Sequence, residues 1–193
     1  MRKERYTLAV LVDNEAGVLS QVSRLFSRKG YNIESLAVGT TDVPEISRIT
    51  IEVMAEDDAH ARLLCNQLRK LFPVHSVKLL DSDHAIRREL VLIKVKAETS
   101  EARNEVIQIA NIFRANIIDV APASLTVAVI GEEGKTDAIQ NLVEKHGILE
   151  LVRTGVVALE RGAYTIDEDT KEKGEFNYGK TFVRNRVTAR SED

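Results

Sequence analysis

The chain has no tryptophan, one cysteine (Cys65), three prolines and few aromatic residues, 5% of its 193 positions. Each shortage removes a class of answer. A lone cysteine forms no intramolecular disulfide, and nothing points to an oxidising compartment. So few rings leave no stacking platform for single-stranded nucleic acid. The net charge is only −3, so no strong field draws the chain to nucleic acid or to an anionic membrane. Long apolar runs are also missing. The first, Tyr6 to Val12, is broken at Asp13, too early for a signal peptide or a membrane span. No nucleic-acid partner, no membrane and a cytoplasmic location are therefore expected. His60, His75, His84 and His146 are scattered without zinc spacing, and Cys65 has no companion for a structural site. No metal is expected.

What is present is a pattern that occurs twice. Tyr6, Leu8, Val10 and Val12 alternate with Thr7, Ala9 and Leu11, which is the period of a strand. Val18, Leu19, Val22, Leu25 and Phe26 then fall on one face of a helix that Gly30 stops. Ile33 to Thr40 and the alternating Ile49, Ile51 and Val53 read as two more strands around a turn at Asp42 to Pro44. Asp57 or Asp58 caps a second helix with Ala61, Leu64, Leu68 and Leu71 on its buried face, and Val74 to Leu80 is a fourth strand. The order is βαββαβ. It returns as a strand over Leu90 to Ala97, a helix capped by Ser100 and strands over Ile117 to Ala121 and Ser124 to Ile130. A helix with Ile139, Leu142, Val143 and His146 on one face follows, and one closing strand covers Ile148 to Leu159. Asn32-Ile33 has its counterpart in Asn116-Ile117, 84 positions on.

These readings predict an α+β fold of two tandem ferredoxin-like βαββαβ modules. Residues 1–80 form the first domain, 81–88 a linker, 89–162 the second domain and 163–193 a polar tail that is either disordered or docked on a partner. Helices cover one face of each sheet, and the sheet edges stay open. Pairing those edges with another copy makes a dimer the expected state.

One place stands out for binding. In Asp13-Asn14-Glu15-Ala16-Gly17-Val18-Leu19 a strand ends, a glycine turn follows and a helix begins. The first N–H groups of a helix lack internal partners and carry the positive end of its dipole, so they attract anions. Gly17 lets a ligand approach the backbone closely. Asn14 either caps the helix or touches the ligand. The plain alternative is an ordinary turn in which Gly17 serves packing and Asn14 is the cap. The matching turn of the second module, Ala97 to Glu101, has no glycine and two glutamates. Gly30-Tyr31-Asn32-Ile33 leads into an edge strand, where Asn32 serves an edge contact or merely the turn. Gly131 to Thr136 imitates the end of a phosphate loop, but Val129 stands where the motif needs glycine. Asp81 to His84 reads as a solvated turn, and Cys65 as a buried thiol.

The motifs N-E-A-G-V-L-S at Asn14 to Ser20 and G-Y-N-I-E-S at Gly30 to Ser35 closely resemble the small regulatory subunit of acetolactate synthase. So do S-R-I-T-I from Ser47, I-F-R-A-N-I-I-D-V from Ile112 and R-T-G-V-V-A-L-E-R-G from Arg153. The resemblance spans Tyr6 to Gly162. It implies that the first module is an ACT domain, that two such domains pair edge to edge, and that valine binds between them as an allosteric ligand. By resemblance, the backbone at Gly17, Val18 and Leu19 takes the carboxylate, Asn14 assists, and Asn32 and Ile33 reach across from the second protomer. It further implies a non-catalytic chain that activates the catalytic (large) subunit of acetolactate synthase and confers feedback inhibition by valine. That subunit depends on thiamine diphosphate, and this chain binds no cofactor. A free-standing ACT-type sensor acting on another enzyme or on transcription is the alternative.

Overall fold

The computed structural model describes residues 3–166. Strand β1 (Glu4–Asp13), helix α1 (Val18–Lys29), β2 (Ile33–Thr40), β3 (Ile46–Ala55), α2 (Asp58–Leu68) and β4 (Val74–Leu80) make a first unit. Strand β5 (Ala85–Lys96), α3 (Ser100–Ile112), β6 (Asn116–Ala121), β7 (Ser124–Gly131), α4 (Glu133–Glu144) and β8 (Ile148–Arg153) make a second. A short β9 (Val157–Glu160) follows. The antiparallel sheets run β2-β3-β1-β4 and β6-β7-β5-β8, with β9 paired to the first residues of β5. The fold is α+β, two ferredoxin-like modules in tandem, as the periodicity predicts.

The apolar periods explain the two main cores. Leu8, Val10 and Val12 of β1 and Ile49, Ile51 and Val53 of β3 face Val22, Leu25 and Phe26 of α1 and Leu64 and Leu68 of α2. Val91, Ile93, Val95, Val127 and Val129 meet Val106, Ile109, Ile139 and Val143 in the second unit. Local signals set the helix ends. Gly30 closes α1 at φ 74, and Tyr31 N–H donates to Phe26 O at 3.0 Å, which satisfies a terminal carbonyl. Asp57 caps α2 by accepting the His60 N–H at 2.8 Å. Thr99, not Ser100, caps α3, taking the Ala102 N–H at 3.1 Å.

Two boundaries differ from the periodic reading, for one reason. The stretch Ile148 to Leu159 is not one strand. It breaks around Gly155 at φ 78, so β8 stays in the second sheet while β9 leaves it. There β9 pairs with Ala85 to Arg88, which extends β5 backwards through half of the expected linker. Apolar residues run on from Leu151 and Val152 to Val156, Val157 and Leu159, so composition does not mark the break, although the less exposed positions change phase there, from Leu151 and Arg153 to Val156 and Ala158.

The β5–β9 ribbon lies over the helix-free face of the first sheet. Ala9, Leu11, Ile46 and Leu80 from that face pack against Ala85, Val156, Ala158 and Ile166. The chain also continues docked past Gly162. Lys78 Nζ donates to Thr165 O at 3.1 Å and Ser76 Oγ to Ile166 O at 3.0 Å. The remainder of the expected tail, 167–193, lies outside the described residues.

Polar ties fix the same junction. Arg48 Nη2 donates to Ala158 O at 2.7 Å, and Lys78 Nζ lies 2.6 Å from the Glu160 carboxylate. Glu52, 2% exposed, accepts from Arg87 and, at 3.4 Å, from Thr7 Oγ1. A carboxylate so buried needs a paired cation, and Arg87 is its close partner, with Arg5 Nη1 farther away at 3.9 Å. Arg87→Ala should therefore cost about 3 kcal/mol in urea denaturation. Adding Glu52→Gln should restore part of the loss, because the stranded charge is gone.

Candidate functional site

The candidate site begins where β1 runs into α1. Asp13 N–H donates to Pro73 O at 2.8 Å and Asn14 N–H to Glu45 O at 2.7 Å. The Asn14 side chain does not cap the helix. Its Nδ2 donates to Pro44 O at 2.9 Å, so it ties the turn to the β2–β3 connection. Its Oδ1 has no partner among the described residues. Gly17 occupies the cap position at φ 88, and no side chain caps α1. A Cβ at Gly17 would meet nothing within 4 Å. Glycine is thus required by the left-handed backbone and not by crowding. Val18 is buried in the first core, whereas Leu19 is 43% exposed. Val18 N–H makes only a long bond to Glu15 O, at 3.4 Å, and the first turn sits at the positive end of the helix dipole with no acidic side chain in it. This chemistry suits a carboxylate.

The second unit forms no equivalent. At the start of α3 the Thr99 hydroxyl already occupies a first-turn N–H, and Glu101 stands in the first turn.

Asn32 and Ile33 lie elsewhere. Ile33 pairs with Val53, and Val53 pairs with Tyr6 near the beginning of β1. The turn at Gly17 follows Asp13 at the other end of that strand. Seven strand positions at about 3.4 Å each put roughly 24 Å between the two groups along the sheet. Within one chain the structure brings Asn14, Gly17, Val18 and Leu19 together and keeps Asn32 and Ile33 away from them. Asn32 Nδ2 is bonded to Glu34 Oε1 at 2.8 Å. Strand β2 is an edge of its sheet.

Sequence reasoning missed the braces of the turn. His75 Nε2 lies 2.7 Å from Asp13 Oδ1, and Pro44 and Glu45 supply two carbonyls. The βαββαβ order already makes β4 the neighbour of β1, and that adjacency was the available clue for His75. The decoys have plain structural roles. In the imitation phosphate loop, Lys135 Nζ donates to Ile130 O at 3.0 Å and Thr136 is fully buried against Glu89. Asp81 accepts the Asp83 N–H at 3.0 Å and faces His84 Nδ1, also at 3.0 Å, within one turn. Among the described residues no group of three His, Cys, Asp or Glu side chains is placed to hold a metal ion. No described helix is long and apolar enough to cross a membrane.

Fold and turn together define the class: a tandem ferredoxin-like protein whose first unit carries a glycine turn between its first strand and first helix. Comparison with known families makes it specific. The family described as "AHAS small subunit-like ACT domain" matches residues 8–76, and that described as "Small subunit of acetolactate synthase" matches residues 88–162. The acetolactate synthase small subunit of Mycobacterium bovis is 47% identical over 162 residues, covering 84% of this chain and 95% of that protein. A probable acetolactate synthase small subunit of Archaeoglobus fulgidus is 45% identical over 159 residues, covering 82% and 98%. The crystal structure of the acetolactate synthase small subunit from Thermotoga maritima is 34% identical and covers 83% of this chain and 99% of its own, with a TM-score of 0.77. The chain belongs to the acetolactate synthase small-subunit family.

Cys65 has no part in this site. It is buried beside Leu64 and Leu68 in the first core, and burial pushes its thiol up to about 11. A thiol so held is unreactive near neutrality. Alkylation by iodoacetamide at pH 8, read by mass, should be negligible in the native protein and complete in 6 M guanidinium, roughly the range that unfolds hyperstable domains.

Proposed function

We propose that this chain is a cytoplasmic, non-catalytic regulatory subunit that joins the catalytic (large) subunit of acetolactate synthase. It activates that subunit and makes it subject to feedback inhibition by valine in branched-chain amino-acid biosynthesis. Thiamine diphosphate and the carbon–carbon chemistry belong to the partner. Valine is the ligand of this chain. Residues 1–80 serve as the effector domain, 81–88 as the linker, 89–162 as the second domain and 163–193 as the tail.

The observation that carries the reading is the separation of the two groups of candidate residues. The glycine turn sits at one end of the first sheet, and Asn32 and Ile33 start the edge strand at the other. A two-fold axis beside β2 sets two copies of that strand antiparallel. Asn32 and Ile33 of the second protomer then arrive at the turn of the first. The homodimer completes a pocket that one chain leaves in halves. In it the valine carboxylate takes the N–H groups at Gly17, Val18 and Leu19, and the ammonium faces Asn14 Oδ1. The isopropyl group is buried by Leu19 and Ile33, a contact worth about 1.5–3 kcal/mol. One added methylene changes such a fit by roughly 1–3 kcal/mol, so preference over leucine is modest. Because valine is shared, its binding free energy depends on how the two protomers sit. That dependence is what regulation requires.

Isothermal titration of the purified protein with valine, together with Gly17→Asp, tests the site. Asp is among the residues that visit left-handed φ, at about 1–2 kcal/mol, and the space at Gly17 is open. The variant should fold and dimerise yet bind valine at least about tenfold more weakly, given the coupling expected of such sites, because its carboxylate repels that of the ligand. Unchanged affinity would refute the assignment. Reconstitution with the catalytic subunit should raise its turnover and confer valine inhibition. Valine binding without any association would favour the free-standing sensor.

A further inference from the structure

The two units meet at a polar cleft of about 430 Å3, lined among others by Glu34, Ser35, Glu52, Glu89, Arg153 and Gly155. On one side is the edge strand β2; on the other is the corner where β8 gives way to β9. Ser35 Oγ accepts the Val156 N–H at 2.9 Å. A Cβ on Gly155 would stand 2.7 Å from the same oxygen and 3.4 Å from Leu36 O. The corner therefore rests directly on β2. Ser35 pairs with Glu52 across the β2–β3 ladder, and Glu52 receives Arg87 from β5. Two neighbouring positions of the first sheet thus both grip the second unit.

The residue before Ser35 is the irregular one. The β2–β3 register slips between Ile33 and Ser35, which leaves Glu34 as the extra residue of a bulge. Its carboxylate accepts from Asn32 Nδ2 at 2.8 Å. The same amide carries a second N–H, so a ligand bonded to Asn32 shares one nitrogen with Glu34. Bulges re-aim side chains and bend the strand that carries them, so Asn32, Glu34 and Ser35 lie on one deformable segment.

We infer that Asn32 to Ser35 is the relay between the effector and the second unit, with Ser35 as its positioning residue. The inference rests on the effector reading above. Capture of the ligand by Asn32 re-orients the amide that holds Glu34 at the cleft, which Arg5 also lines. The bulge rearranges, and Ser35 carries the movement to Val156 and the β8–β9 corner. Ser35 does not touch the ligand. Its removal separates binding from response, which loss of a binding residue would not do.

The test uses the holoenzyme reconstituted with the catalytic subunit, wild-type, Ser35→Ala and Ser35→Thr. Titration measures valine affinity, and initial rates measure inhibition. Ser35→Ala should bind valine within about threefold of wild type, because its hydroxyl is engaged by the Val156 N–H and not by the ligand, and substitutions outside a direct contact usually cost little. Its inhibition should require at least about tenfold more valine or reach a much smaller extent, the scale of ordinary allosteric coupling. Ser35→Thr, which keeps the hydroxyl, should respond as wild type. Ser35→Ala inhibited like wild type would overturn the relay, as would loss of valine binding in that variant. Failure of the wild type to bind valine would overturn the effector reading and the relay with it.

Discussion

A four-stranded sheet with helices on one face leaves the other face to be covered, and in the first unit that cover determines much else. The helix-free face presents Ala9, Leu11, Ile46 and Leu80, interspersed with buried polar groups such as Thr7, Glu52, Ser76 and Lys78. Apolar burial alone does not satisfy such a face. The β5–β9 ribbon supplies small residues over the apolar patch and Arg87, Glu160 and backbone carbonyls for the polar groups. Strand β8 must end at Gly155 so that β9 can cross. That corner then falls against Ser35, and the two units become mechanically continuous.

On the proposed reading, anion affinity comes from the backbone at Gly17 and needs no charged side chain, and β2 of the second protomer supplies the other half of the pocket. That strand leads through the bulge at Glu34 to the inter-unit contact of Ser35 with Val156. The proposed binding and transmission would thus use adjacent segments of one strand.

Much of this was legible beforehand. Alternation in Tyr6 to Val12 and the 3.6-residue spacing of Val18, Val22, Leu25 and Phe26 marked β1 and α1, because burial imposes those periods. Gly17 and Gly30 marked both ends of α1, because left-handed backbone favours glycine. The break at Gly155 was not legible, since apolar residues continue on both sides of it and the change of phase between Arg153 and Val156 shows only once burial is known. Nor was the pairing of His75 with Asp13, which depends on contacts 62 positions apart. Asn14 lies in the turn before α1, but its Nδ2 donates to Pro44 O and its side chain does not cap the helix. Ser35 gave no sign at all. A serine in an edge strand is ordinary until the residue facing it is known.

The crossing of β9 has a consequence for modularity. The sequence repeats as two similar halves, and the two family descriptions divide it between residues 76 and 88. Yet the half that ends at Leu80 relies on Ala85, Val156, Ala158 and Ile166 to keep water from its sheet. A cut in the apparent linker would separate the repeats while stripping one of its cover. Duplication can produce such a protein, but later recombination of its halves cannot freely rearrange it. The repeat is the unit of the sequence pattern, whereas the cover of the first sheet comes from the second unit.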